Sequence, residues 1–168
     1  MNKIALISIS LILALVVGLA GCGTKTVTPG YIQYDHELGY GFEYPEDWES
    51  QLVEGEDVKS VIMFTEPGTT TTLVVAFKLS NLSLEEVSGE FREELGGLGG
   101  VILEEREIVV NDREGYEVIY KPFPGVKIRQ VMFIANGNFY MLVCSTEELL
   151  YGEYEETFDN VIYSFIVN

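Results

Sequence analysis

Two stretches of this chain, "TLVVAFKLS" from Thr72 and "VKIRQVMFIA" from Val126, are strand-like in residue type but apolar on both sides. In the first, Leu73, Val75, Phe77 and Leu79 share one face while Val74 and Ala76 take the other. In the second, Val126, Ile128, Met132 and Ile134 oppose Val131, Phe133 and Ala135. A strand exposed to water on one face would alternate apolar with polar residues, so these strands belong to the middle of a sheet covered on both sides. The chain must therefore supply a layer for each face.

Helices are the expected cover. Ser83-Leu84-Glu85-Glu86 forms a capping box, in which the Ser hydroxyl accepts the third amide and Glu86 reaches back. Leu84, Val87, Phe91 and Leu95 then follow at helical spacing, and "GGLGG", Gly96 to Gly100, ends the helix. That glycine cluster lies after its helix, whereas a phosphate-binding loop precedes one. A second helix is expected to start near Ser145 or Thr146, with Glu148 close behind. It carries Leu150, Tyr154, Phe158, Val161 and Ile162 inward, with Glu147, Glu153, Glu155 and Glu156 facing water.

The strands are expected as "YIQYDHE", "GYGFEY", "LVEGEDVKSVIMFTE" and "TTTLVVAFKLS" before the first helix. Between the helices a meander follows: "VILEEREIVVN", "GYEVIYKPF", "VKIRQVMFIA" and "NFYMLVCST". Asn136-Gly137 marks its last hairpin. "NDREGYE" from Asn111 lacks the ligand spacing of a calcium loop and reads as another hairpin turn. "YSFIVN" supplies a closing strand. The predicted class is α+β: an α/β/α sandwich with a central antiparallel sheet of six to eight strands and a helix on each face.

Before this domain, one Lys (Lys3) precedes the apolar run from Ile4 to Ala20, which is short for a bilayer span. Leu19-Ala20-Gly21-Cys22 follows it directly and resembles the prokaryotic lipobox. That resemblance implies a signal peptide over residues 1–21, a diacylglycerol on the Cys22 thiol, and cleavage that makes Cys22 the N-terminus. An uncleaved anchor helix with an incidental cysteine is the plainer alternative, and it too tethers the chain to a membrane. Residues 22–30 then read as a lipidated polar tether and residues 31–168 as one domain.

Charge narrows the partners. The chain carries 27 acidic against 10 basic residues for a formal −17, and loss of residues 1–21 removes only Lys3 and makes it −18. Such a surface repels nucleic-acid phosphates and anionic lipid, so any membrane attachment falls to the lipid anchor. It suits solubility, a basic partner, or divalent cations. Of the two cysteines, Cys144 lies among apolar strand residues and reads as a buried hydrophobe; the single histidine, His36, is far from it in sequence. No set of ligands for zinc stands out, and the acids mark no pair for glycoside hydrolysis. Asn81-Leu82-Ser83 fits a glycosylation acceptor and also the start of a helix, the reading favoured here.

One stretch concentrates aromatic side chains: "GYGFEYPEDW", Gly39 to Trp48, which ends in the chain's only tryptophan. It reads as a strand stopped by Pro45, with Phe42 and Tyr40 or Tyr44 divided between the faces of a sheet and Trp48 as a core anchor. Its Gly41-Phe42-x-Tyr44-Pro45-x-x-Trp48 core resembles the N-terminal signature of the PsbP-like superfamily. "SLEEV" at Ser83 and "FDNVIYSF" at Phe158 are similar as well, so the resemblance spans about residues 31–167. It implies an α/β/α sandwich, no catalytic machinery, work by docking to protein assemblies, and in some photosynthetic members an association with manganese or calcium. The favoured reading is thus a membrane-anchored, extracytoplasmic, non-catalytic protein-binding or assembly module. The alternatives are a calcium- or manganese-binding accessory protein and, behind it, a hydrolase with dispersed carboxylates.

Overall fold

The computed structural model describes residues 26–53 and 60–168. A seven-stranded, wholly antiparallel sheet runs in the order β3-β4-β5-β9-β8-β7-β6, built from β3 (Glu49–Val53), β4 (Ser60–Thr65), β5 (Thr72–Leu79), β6 (Val101–Val110), β7 (Arg113–Lys121), β8 (Val126–Ala135) and β9 (Asn138–Glu147). A smaller sheet, β1-β2-β10, joins β1 (Tyr31–His36), β2 (Tyr40–Pro45) and β10 (Ile166–Val167). Among the described residues two helices complete the fold, α1 (Leu84–Gly97) and α2 (Tyr151–Ser164).

Both faces of the large sheet are covered, as its doubly apolar strands require. On one face, Leu73, Val75, Phe77, Val131, Phe133, Tyr140 and Leu142 pack with α2 and the small sheet. On the other, Val118, Tyr120, Met132 and Phe139 meet Val87 and Leu95 of α1. The sandwich with a helix on each face is thus borne out, with seven strands in the central sheet.

Local chemistry sets the element ends. The Ser83 box is formed in full: the Ser83 amide donates to Glu86 at 2.7 Å and the Glu86 amide to the Ser83 hydroxyl at 3.2 Å. Asn136 and Gly137, at φ 54° and 71°, make the tight β8–β9 turn, and Asn111 and Asp112, at 47° and 63°, make the β6–β7 turn.

Three expectations need correction. "LVEGEDVKSVIMFTE" is two strands, because the chain pairs back on itself with Leu52 opposite Ile62 and Val53 opposite Val61. The second helix starts at Tyr151, well after Ser145 and Thr146. Those two residues belong to β9, where pairing to its neighbours and a buried hydroxyl–hydroxyl bond between Thr146 and Thr71 at 2.9 Å outcompete a helix cap. Finally, Tyr40, Phe42 and Tyr44 are not divided between faces. They alternate along β2, share one side, and pack on the core against Phe64 and Tyr140.

The core anchor role of Trp48 holds, since it is buried in the same cluster as Phe42. Gly41 is explained by crowding. It is paired on both sides, to Asp35 and to Ile166, and an added Cβ would lie 2.7 Å from the Tyr34 carbonyl oxygen.

A charged network crosses the α2 side of the sheet. Glu117 is only 2% exposed and accepts from Arg129 Nε at 2.7 Å and also from Arg106; Arg129 Nη1 reaches Asp159 of α2 at 2.7 Å. Burial works against the Arg129 charge, but the bonds to Asp159 and Glu117 outweigh it and raise its pKa. Removing Arg129 would strand a buried carboxylate, at a cost of about 3–5 kcal/mol for a severed buried pair. Arg129→Met should therefore lower stability in urea denaturation by about 3 kcal/mol, with Arg106 keeping it at the lower end of that range. Adding Glu117→Leu should restore much of the loss, and a single-variant loss below about 1 kcal/mol would contradict the account.

Candidate docking cleft

The sequence-predicted site residues fall into two groups. Leu19, Ala20, Gly21 and Cys22 lie outside the described residues. Gly41, Phe42, Tyr44, Pro45 and Trp48 come together in β2 and the turn after it, where their rings build core.

Other reactive groups are occupied structurally. Cys144 is fully buried, and burial pushes its thiol up to about 12, which leaves it protonated and unreactive. His36 is remote from Cys144 in function as in sequence: its ring stacks on Tyr40 at 4.7 Å, and its Nδ1 accepts the Leu38 amide at 3.1 Å. With Nδ1 an acceptor, the ring proton sits on Nε2, 3.0 Å from the Ser60 hydroxyl. Among the described residues, no group of three or more His, Cys, Asp and Glu side chains is arranged to hold a metal ion.

The concave surface lies elsewhere. A cleft of about 690 Å³ opens between the first half of α1 and the β6–β7 hairpin. Leu84, Glu85, Ser88 and Arg92 form the helix wall, while Glu107, Val109, Glu114 and Tyr116 form the sheet wall. A smaller groove of about 220 Å³ flanks α1 on its other side, lined by Phe91, Met132, Met141 and Phe139 together with Lys78, Glu90 and Glu94.

Rigid parts hold the larger cleft. The capping box fixes the first turn of α1, where Glu85 and Glu86 also complement the positive end of the helix dipole. The β6–β7 turn is tied to the end of α2, because Asn111 Nδ2 donates to the Tyr163 and Phe165 carbonyls at 3.0 and 2.8 Å. Gly115 has no room for a side chain, since a Cβ there would lie 2.6 Å from the Phe133 ring.

Across the cleft, Arg92 Nε donates to Glu105 at 2.9 Å and to the Tyr116 hydroxyl at 3.0 Å, and Tyr116 in turn donates to Glu105. This clamp joins helix to sheet. Three further carboxylates line the cleft, Glu85, Glu107 and Glu114, and among the described residues none of them makes an ion pair. Acidic groups set among Leu84, Ile108 and Val109 suit a ligand that is basic and partly apolar.

Sequence reading missed this site, though signals were present. The run Glu104-Glu105-Arg106-Glu107 inside a strand is the mark of a sheet edge protected by charge, and β6 is that edge. Which of those charges face α1 depends on a register shift between Ile102 and Glu104, which no sequence pattern announces.

Fold and cleft together define an α/β/α sandwich built on one antiparallel sheet, with its concavity beside a helix rather than at strand ends that converge on reactive groups. The chain belongs to the PsbP family: the family model described as PsbP matches residues 29–167. The resemblance carried by Gly41 to Trp48 is borne out at that level, and membership carries the coarse reading of a non-catalytic accessory or binding module. The solution structure of cyanobacterial PsbP (CyanoP) from Synechocystis sp. PCC 6803 is similar, with a TM-score of 0.66 and 19% identity over 89% of this chain and 99% of that one. So is the crystal structure of PA94 from Pseudomonas aeruginosa, a protein described as of unknown function, with a TM-score of 0.55 and 10% identity over 82% of this chain and 97% of that one. At these identities both speak to the fold. No curated protein sequence matches the chain.

The clamp makes a pH prediction. Hydrogen bonds from Tyr116 and Arg92 hold the Glu105 carboxyl below the usual range. Its contribution is therefore fully present above about pH 4.3, the ordinary Glu value, and is lost as pH falls through the depressed one. Carboxyl NMR titration should give Glu105 a midpoint below about 4.3, and Tyr116→Phe should move it upward. A midpoint unchanged by that substitution would contradict the clamp.

Proposed function

We propose that this protein is a lipid-anchored, extracytoplasmic docking module, which binds a protein partner through a basic and partly apolar segment seated between α1 and the β6–β7 hairpin. The observation that carries the reading is the lining of the cleft, with three carboxylates that among the described residues make no ion pair, set beside Leu84 and Val109 on a rigid floor. Desolvating such carboxylates is unfavourable unless cationic groups replace the lost water, so the cleft selects basic partners and rejects acidic ones. The Leu19-Ala20-Gly21-Cys22 sequence supports the anchor, and the formal charge of −17 speaks against nucleic acid as the partner.

Photo-cross-linking in intact cells tests this directly. A photoreactive residue replacing Val109 in the full chain should yield a discrete polypeptide adduct, while the same residue replacing Tyr163, exposed on α2, should not. Glu107→Lys with Glu114→Lys should abolish the Val109 adduct. No adduct at Val109, or one indifferent to charge reversal, would sink the proposal.

A further inference from the structure

We infer that the end of the sheet opposite the cleft rests on a lipid bilayer, with Phe123 and Leu149 entering its headgroup region. This rests on the proposed lipid anchor at Cys22 and adds an orientation to it.

Antiparallel connectivity sorts the loops into two ends. The cleft, the Asn111–Asp112 turn and the Asn136–Gly137 turn lie at one. The β7–β8 and β9–α2 loops lie at the other, stitched together by the Glu148 amide donating to the Gly125 carbonyl at 2.9 Å. From those two loops Phe123 is 61% exposed and Leu149 is 93% exposed, an unfavourable display in water for two large apolar side chains.

The β7–β8 turn is locally free of acids, although Glu147 and Glu148 precede Leu149 in the facing loop and Glu148 pairs with Lys121. The turn "KPFPGVK", Lys121 to Lys127, contains no acid in a chain with 27 of them. It presents a phenylalanine between two prolines with a lysine on either side. Lys127 is committed within the fold, its ammonium 3.7 Å from the ring centroid of buried Tyr151, so the display of this turn is chiefly apolar.

The start of the described chain is at the same end. Thr28 is held by Glu43, whose carboxylate accepts its amide at 2.9 Å, and Tyr31 opens β1 opposite Pro45, just before β3 begins. Cys22 precedes Thr28 by only six positions, which span about 20 Å at full extension. An acylated Cys22 therefore keeps this end near the bilayer, and the lipid surface is the occupant that chain length and the exposed Phe123 and Leu149 favour.

The test uses the full, acylated chain in phosphatidylcholine vesicles with doxyl-labelled acyl chains. An environment-sensitive fluorophore is placed on Phe123→Cys, Leu149→Cys or, at the opposite end, Leu38→Cys. Buried Cys144 does not compete for the label. The expected result is a blue shift and loss of about half the emission or more at positions 123 and 149, with none at 38. Vesicle-bound protein unquenched at 123 and 149, or quenched equally at 38, overturns the orientation while the anchor stands. A chain that does not sediment with vesicles overturns the anchor and the orientation with it. Probes shielded without lipid, in a concentration-dependent way, assign the face to a second copy of the chain instead.

Discussion

A seven-stranded sheet with apolar side chains on both faces cannot stand in water uncovered, and the rest of this structure follows from how unequally its two faces are covered. Seven strands spaced about 4.8 Å apart make a surface roughly 29 Å wide. One face receives α2 together with the three-stranded sheet, two elements side by side, and their aromatic rings close a continuous core. Among the described residues the other face receives α1 alone. A helix is about 10 Å wide with its side chains, so α1 leaves sheet uncovered along both flanks. Those flanks are the two clefts. The candidate docking surface is thus a geometric remainder of the fold, furnished by the charged edge strand β6.

The buried Glu117–Arg129–Asp159 chain belongs to the well-covered face. Ion pairs of this kind add little net stability compared with apolar packing, yet they tolerate few alternative alignments. Here they join β7, β8 and α2 at fixed positions, and Arg106 extends them to β6. The hairpin that forms one wall of the larger cleft is therefore held from behind, while the Arg92–Glu105–Tyr116 clamp holds it from the front.

How much of this was legible in the sequence depends on whether the signal was local. The Ser83 capping box, the Asn136-Gly137 turn and the two-faced apolar strands are decided within a few residues, and each was readable. The start of α2 was not, because Ser145 and Thr146 have good capping chemistry and lose it to strand pairing with partners far away in sequence. Tyr40, Phe42 and Tyr44 share a face by simple alternation, and reading them as divided overlooked that period. Glu117 and Arg129 are visibly odd within apolar strands, but their mutual distance comes from the β7–β8 pairing. The cleft was illegible for a similar reason, since its walls lie in separate elements and its width is set by helix-on-sheet geometry. The resemblance of Leu19-Ala20-Gly21-Cys22 to a lipobox belongs to another category, since such a signal is read by cellular machinery rather than by folding.

On the proposed reading the molecule has two working ends, an apolar, lysine-flanked one toward the bilayer and an acidic cleft facing away. The central claim is that the cleft, not acidity in general, selects the partner. Chemical-shift mapping by NMR with a short peptide of alternating lysine and leucine tests it most directly. The account predicts perturbations confined to residues 84–92 and 107–116, fading with added salt only in part because apolar contacts persist. Shifts spread over the exposed acids of α2, Glu153, Glu155 and Glu156, and abolished by salt, would contradict it and leave only nonspecific attraction to an acidic surface.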